Sequence, residues 1–292
     1  MKKVGIITDS VANLPPEILE QKGIKVIPMK IAFGRHTYQD GVDLTAGEFY
    51  DKVEASEVLP TVEPPTTGEF CEIFESLKDE GYEGAVCILM SNNIFPSFNA
   101  ASEARNLMRP FPVVVVDSHT ASMSQGFMVM EAVKAAEEGL TIPEVVERAW
   151  GVRSSLHFYG MVGMLHYLVR ARRLGKFSAF MRALFNVKPV ITIDADDGRI
   201  KPFARVKSKA QAFRFFMEQI EKNLPPQGKL HAAVLHAAEP EAAQELYNIL
   251  KERHNNGEFY LRELTPGIGY HTGPGLIGIS FYCEVTSARS AG

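Results

Sequence analysis

The sequence predicts an α/β protein of two domains: an N-terminal parallel sheet with flanking helices over residues 1–153, and a C-terminal α/β domain with a mixed sheet over residues 154–292. Three observations carry this. Apolar runs at 4–7, 85–90 and 113–116 each turn polar within about one residue ahead of a helical pattern, as parallel strands buried on both faces do. Beyond residue 153 the pattern changes, because 187–194 and 199–206 flank Ala195-Asp196-Asp197-Gly198, and Asp-Gly between alternating runs signals a hairpin. Finally, 292 residues exceed the usual single domain and favour two units sharing a cleft.

Taken in order, Val4-Gly5-Ile6-Ile7 is the first strand, and Thr8, Asp9 and Ser10 leave its carboxyl end together. That is the edge where open α/β sheets bind ligands, although for any one of these residues a turn or cap role is the plainer reading. Leu14-Pro15-Pro16 starts a helix, with proline tolerated in its first turn, and a second strand returns over 24–33. Asp40-Gly41 marks a turn, and Thr45-x-x-Glu48 is a capping-box pattern for a helix carrying Phe49, Tyr50 and Val53. Pro60, Pro64 and Pro65 exclude regular structure from 59–67, after which a helix runs over 67–79. The strands at 85–90 and 113–116 end in Ser91-Asn92-Asn93 and Asp117-Ser118-His119, and helices follow over 97–108 and 122–138. Thr141-Ile142-Pro143-Glu144 opens another helix. After the hairpin come an aromatic-rich helix, a strand at 230–235, a helix over 239–252, and strands at 259–264 and 276–285.

Composition excludes several functions. Hydrophobic residues make up 46%, charged residues 23%, and the formal net charge is -4, so nothing favours nucleic acid as a partner. The three cysteines, Cys71, Cys87 and Cys283, lie far apart with no C-x-x-C pair, and no signal-like amino terminus precedes them. They read as reduced core residues of a cytoplasmic protein. No apolar run approaches the ~20 residues that span a bilayer, so no integral membrane segment is expected. There is no Walker loop, no G-x-G-x-x-G, no metal spacing and no nucleophile elbow, so no catalytic residue, cofactor or metal is assigned.

Two features carry possible chemistry. Arg170-Ala171-Arg172-Arg173 follows an apolar segment, and arginines hold carboxylates or phosphates by forked hydrogen bonds. His271-Thr272-Gly273-Pro274-Gly275 places a histidine on what reads as a tight loop, where few side chains surround it.

In the same order along the chain, several stretches resemble the DegV family. They are Thr8-Asp9-Ser10, Asp40-Gly41-Val42-Asp43, Gly68-Glu69-Phe70, Gly81-Tyr82, Asp117-Ser118, Asn186-Val187-Lys188-Pro189 and His271-x-Gly273-Pro274-Gly275-x-x-Gly278. The resemblance covers essentially the whole chain. It implies a non-enzymatic carrier that holds one long-chain fatty acid in a tunnel at the domain interface and presents its carboxyl to a fatty acid kinase. The apolar residues of the second half would line that tunnel.

Carried over position by position, the family's carboxyl-binding threonine becomes Val62, with Thr61 beside it and Glu63 after it. In the stretch Ser91-Asn92-Asn93-Ile94-Phe95, the first serine is kept and the head-group serine becomes Phe95. Arg173 and His271 match their counterparts. The expected ligand-binding residues are therefore Thr61, Ser91, Asn92, Arg173 and His271, with Arg173 supplying charge. Two alternatives stay open: an enzyme or phosphoryl-transfer component acting on another small acid through His271, and a degenerate relative that binds only another protein.

Overall fold

The computed structural model describes residues 4–56, 59–170, 187–226 and 228–285, organised by three sheets. The first is parallel, in the order β2-β1-β6-β7, from β1 (Val4–Asp9), β2 (Lys25–Ile27), β6 (Gly84–Leu89) and β7 (Val113–Asp117). Every residue of β1 and β6 is buried, as continuous apolar runs require. Because strand side chains alternate, the sheet feeds two cores. Ile7, Ala85, Cys87 and Leu89 pack on Phe70, Phe74 and Leu77 of α3 (Thr67–Asp79) and on Ala101 and Ala104 of α4 (Phe98–Leu107). Ile6, Val86 and Ile88 join the opposite core with Phe127 and Val129 of α5 (Ser122–Glu137).

The second sheet is mixed and six-stranded, in the order β10-β9-β8-β13-β11-β12. Its strands are β8 (His157–Met161), β9 (Lys188–Ile193), β10 (Ile200–Val206), β11 (Gly228–His236), β12 (Gly257–Glu263) and β13 (Ile277–Val285). The β9–β10 hairpin forms about Asp197-Gly198 as expected, and β11 with β12 is a parallel pair. One face carries α8 (Lys209–Asn223) and α9 (Pro240–Arg253) over a core that includes Phe213, Phe216 and Leu246. The other face meets α5, which is buried along most of its length and lies between the two large sheets. Ser124 Oγ is 2.5 Å from Ser280 Oγ there, and Phe127 packs on Tyr282 with ring centroids 5.2 Å apart.

The structure corrects two sequence expectations about strands. The single strand predicted over 24–33 divides at Pro28, which has no N–H to donate to a ladder: β2 joins the parallel sheet, and β3 (Lys30–Phe33) begins a separate antiparallel one. That third sheet adds β4 (His36–Gln39) and β5 (Thr61–Glu63), so the proline-rich stretch expected to be irregular contains a strand. Pro60 and Pro64 lie just outside β5, leaving its residues free to pair with β3. Capping boxes start α2 (Ala46–Ala55), α3 and α6 (Ile142–Gly151), each worth about 1 kcal/mol.

Candidate functional site

The carboxyl ends of β6 and β7 face the β9–β10 hairpin and α10 (Pro266–Thr272), and a narrow apolar cavity lies among them. Its walls are Met90 and Ile94 after β6, Ala121 and Ser122 at the start of α5, Phe158 of β8, Ile191, Ile193 and Ile200 of the hairpin, and Ile268, His271 and Thr272 of α10. Among the described residues, polar side chains enter this wall only at Ser122, His271 and Thr272.

His271 sits on a short helix, not on the loop expected from its glycine and proline neighbours. It is 3% exposed, with Phe95 edge-on at 6.0 Å and Tyr270 at 5.0 Å between ring centroids. The expectation failed because Pro266 at N1 starts a helical turn as readily as it interrupts one. The helix stops at Gly273, which has φ 63° and Tyr167 pressed against it: a Cβ there would lie 2.2 Å from Tyr167 Cδ2. At the other end Asp40 Oδ2 accepts from the Gly267 N–H at 3.1 Å and from Ser10 Oγ at 2.8 Å. Burial raises the Asp40 pKa to about 6, against the pull of those hydrogen bonds.

Asp9, at the sheet edge singled out in the sequence, serves as an internal tie. Its Oδ2 accepts from the Met90 N–H at 2.9 Å and its Oδ1 from Gln125 Nε2 at 2.8 Å, joining β1, the end of β6 and α5. Burial pushes its pKa up to about 7.

The five expected site residues fall in different places. His271 lines the cavity. Ser91 is fully buried, but its Oγ donates to the Gly198 carbonyl at 2.9 Å. Asn92 stands next to it, with its N–H donating to Asp117 Oδ1 at 3.2 Å, and neither residue lines the cavity. Thr61 is exposed on β5, and because Val62 between Thr61 and Glu63 is the inward residue, both flanking side chains point away from the core. Arg173 lies outside the described residues. Phe95 is buried and directly against His271, so the substitution places an aromatic ring beside the histidine.

The hairpin is held onto the first sheet by more than Ser91. Asn93 Nδ2 donates to the Asp197 carbonyl at 2.7 Å, and Arg153 Nη1 donates to the Ala195 carbonyl and lies 3.0 Å from His119 Nδ1. Gly198, at φ 65°, allows this approach, since a Cβ would sit 2.2 Å from Ser91 Oγ. Sequence reasoning missed Ser122 and Thr272 as wall residues. The polar stretch 117–124 ahead of a helix was the available signal, and a capping role accounted for it too easily.

A family model described as "Uncharacterised protein, DegV family" matches residues 3–284. The chain belongs to the DegV family. A DegV domain-containing protein of Halalkalibacterium halodurans is 30% identical over 284 residues, covering 97% of this chain and 100% of the relative. Protein DegV of Bacillus subtilis is 29% identical over 277 residues, covering 94% and 98%. Among solved DegV structures, one from Bacillus subtilis described as a fatty acid binding protein has a TM-score of 0.90 at 28% identity, covering 98% of this chain and 100% of the other. A second, from Thermus thermophilus and described by its fatty acid binding, has a TM-score of 0.89 at 25% identity, covering 96% and 99%. The three-sheet arrangement above is thus a DegV fold.

Proposed function

We propose that this DegV protein binds a long-chain fatty acid with its carboxyl group beside His271 and its acyl chain along the apolar wall. The observation that carries the reading is the composition of the cavity, whose aliphatic and aromatic lining includes, among the described residues, polar side chains only at His271, Thr272 and Ser122. Fatty acid binding by the Bacillus subtilis and Thermus thermophilus relatives, at matching coverage, supports it. The same reading makes the protein a carrier that presents the carboxyl to a fatty acid kinase, with residues 1–153 and 154–292 as two domains contributing opposite walls. Ser91 and Asn92 belong to the rim, Arg173 supplies positive charge, and Thr61 borders the site through its strand. Reduced cysteines, with none of the three paired, suit a cytoplasmic setting.

Native mass spectrometry of the purified protein, followed by titration of the delipidated chain with stearic acid, tests this. One bound acyl species per chain is expected, with no turnover by the protein alone. A ligand-free protein that takes up no added fatty acid would end the lipid reading. Phosphohistidine formed on the isolated chain with ATP would replace the carrier by a phosphoryl-transfer component acting through His271.

A further inference from the structure

A carboxylate drawn into an apolar cavity needs donors, and the hydroxyl positions named from the sequence are engaged, turned outward or replaced. Ser91 Oγ donates to Gly198, Thr61 points outward, and Val62 and Phe95 carry no donor. One hydroxyl in the cavity wall is different. Ser122 is 1% exposed, and among the described residues its Oγ has no hydrogen-bond partner. A buried hydroxyl without a partner is uncommon and calls for a ligand or a water. Its backbone is unusual as well, with φ 56°, a left-handed conformation uncommon for a non-glycine residue and shared among the described residues with Asn13, His119 and Ala238.

A second observation converges on the same point. Ser122 is the first residue of the sixteen-residue helix α5, whose N-cap, Ala121, offers no side-chain acceptor. Both Ala121 and Ser122 line the cavity. The helix therefore begins at the cavity wall with no side-chain cap from its N-cap residue and with the positive end of its dipole in place. Hydroxyl and helix start together make an anion site, and the anion that an apolar cavity selects is one with a hydrocarbon chain.

We propose that Ser122 Oγ, together with the amino end of α5, is the principal donor to the ligand carboxylate in this chain. The role rests on the fatty acid reading above. It supplies, from a different element, the hydroxyl contacts that Val62 and Phe95 remove, and it places the carboxylate on the His271 side of the cavity.

The test uses the delipidated full chain and two variants, Ser122→Ala and Ser122→Gly. Glycine suits a positive φ and so guards against misfolding as the cause of any loss. Dissociation constants are measured for stearic acid and for stearyl alcohol, which has the same chain and no carboxylate. Both variants should bind the acid about 10-fold or more weakly, and the alcohol within about 3-fold of the parent. The ¹³C resonance of carboxyl-labelled stearic acid should also shift between parent and Ser122→Gly. Equal acid affinity in parent and variants, or equal loss for acid and alcohol, would overturn the assignment while leaving fatty acid binding intact. A parent that takes up neither compound removes the fatty acid reading, and Ser122's role with it.

Discussion

Asp40 Oδ2 accepts the Gly267 N–H at 3.1 Å, tying a buried carboxylate in the turn after β4 to the first turn of the helix that carries His271. The same oxygen accepts from Ser10 Oγ, so three distant stretches, including the sheet edge after β1, meet at one atom. An acidic group at a helix start also favours the helix dipole. Through this contact, a residue outside the cavity is tied to the helix that carries His271.

Asp40→Ala should therefore lower both stability and ligand affinity. Losing hydrogen bonds to a buried charged group costs roughly 1.5–3 kcal/mol. Asp40→Asn keeps an acceptor for Gly267 and should lose less than half as much. Urea denaturation and stearic acid titration of both variants check this; equal losses would show that charge, not the acceptor, matters.

Stability should fall as pH rises through neutrality. Asp9 and Asp40 have folded pKa values of about 7 and about 6, against 3.8 as the ordinary value, so between these limits the folded protein holds protons that the unfolded chain has released. Their contribution is fully present below about pH 4 and is lost as pH rises through the folded values, at roughly 1.4 kcal/mol per pH unit per proton. Asp9→Asn, neutral throughout, should flatten the slope of unfolding free energy between pH 5 and 7. An unchanged slope would mean that Asp9 is ionised in the fold.

Ser91→Ala should loosen the hairpin more than the ligand. Removing the Ser91–Gly198 hydrogen bond leaves a buried carbonyl unpaired, at a cost of about 1–3 kcal/mol, and faster hydrogen exchange over 194–199 should report it. Gly198→Ala should destabilise further, because its Cβ would meet Ser91 Oγ at 2.2 Å with φ at 65°. Arg173→Ala, by contrast, should cost more affinity for stearic acid than Ser91→Ala. The opposite ranking would move the head group to the Ser91 rim.

Val62→Thr with Phe95→Ser should tighten fatty acid binding while weakening the fold. Phe95 is 5% exposed, and replacing so large a buried side chain by a small one costs about 3–5 kcal/mol. The added hydroxyls, the one at position 95 beside His271, should nonetheless strengthen the carboxylate contact severalfold and reduce dependence on Ser122 and Arg173. Thermal melts and titrations of the double variant separate the two effects. Unchanged affinity would place the carboxylate away from Phe95.

By itself the sequence determined the elements whose signals are local. Continuous apolar runs made β1, β6 and β7 recognisable as two-face-buried strands, Asp197-Gly198 announced the hairpin, and Thr45 with Glu48 capped a helix where expected. An ordered set of short motifs also sufficed for the family, since motif order survives where individual residues change. What the tertiary structure decided depends on contacts between distant segments. Pro28 divides a strand because two different sheets compete for its ends, and Thr61 faces outward because its neighbour Val62 packs inward. Ser91 is engaged by a carbonyl 107 residues away, whereas Ser122, in the cavity wall at the head of α5, has no hydrogen-bond partner for its Oγ among the described residues. Nothing within a few residues of either serine distinguishes them, because hydrogen-bond satisfaction in a buried site is a property of the packed fold and not of the local chain.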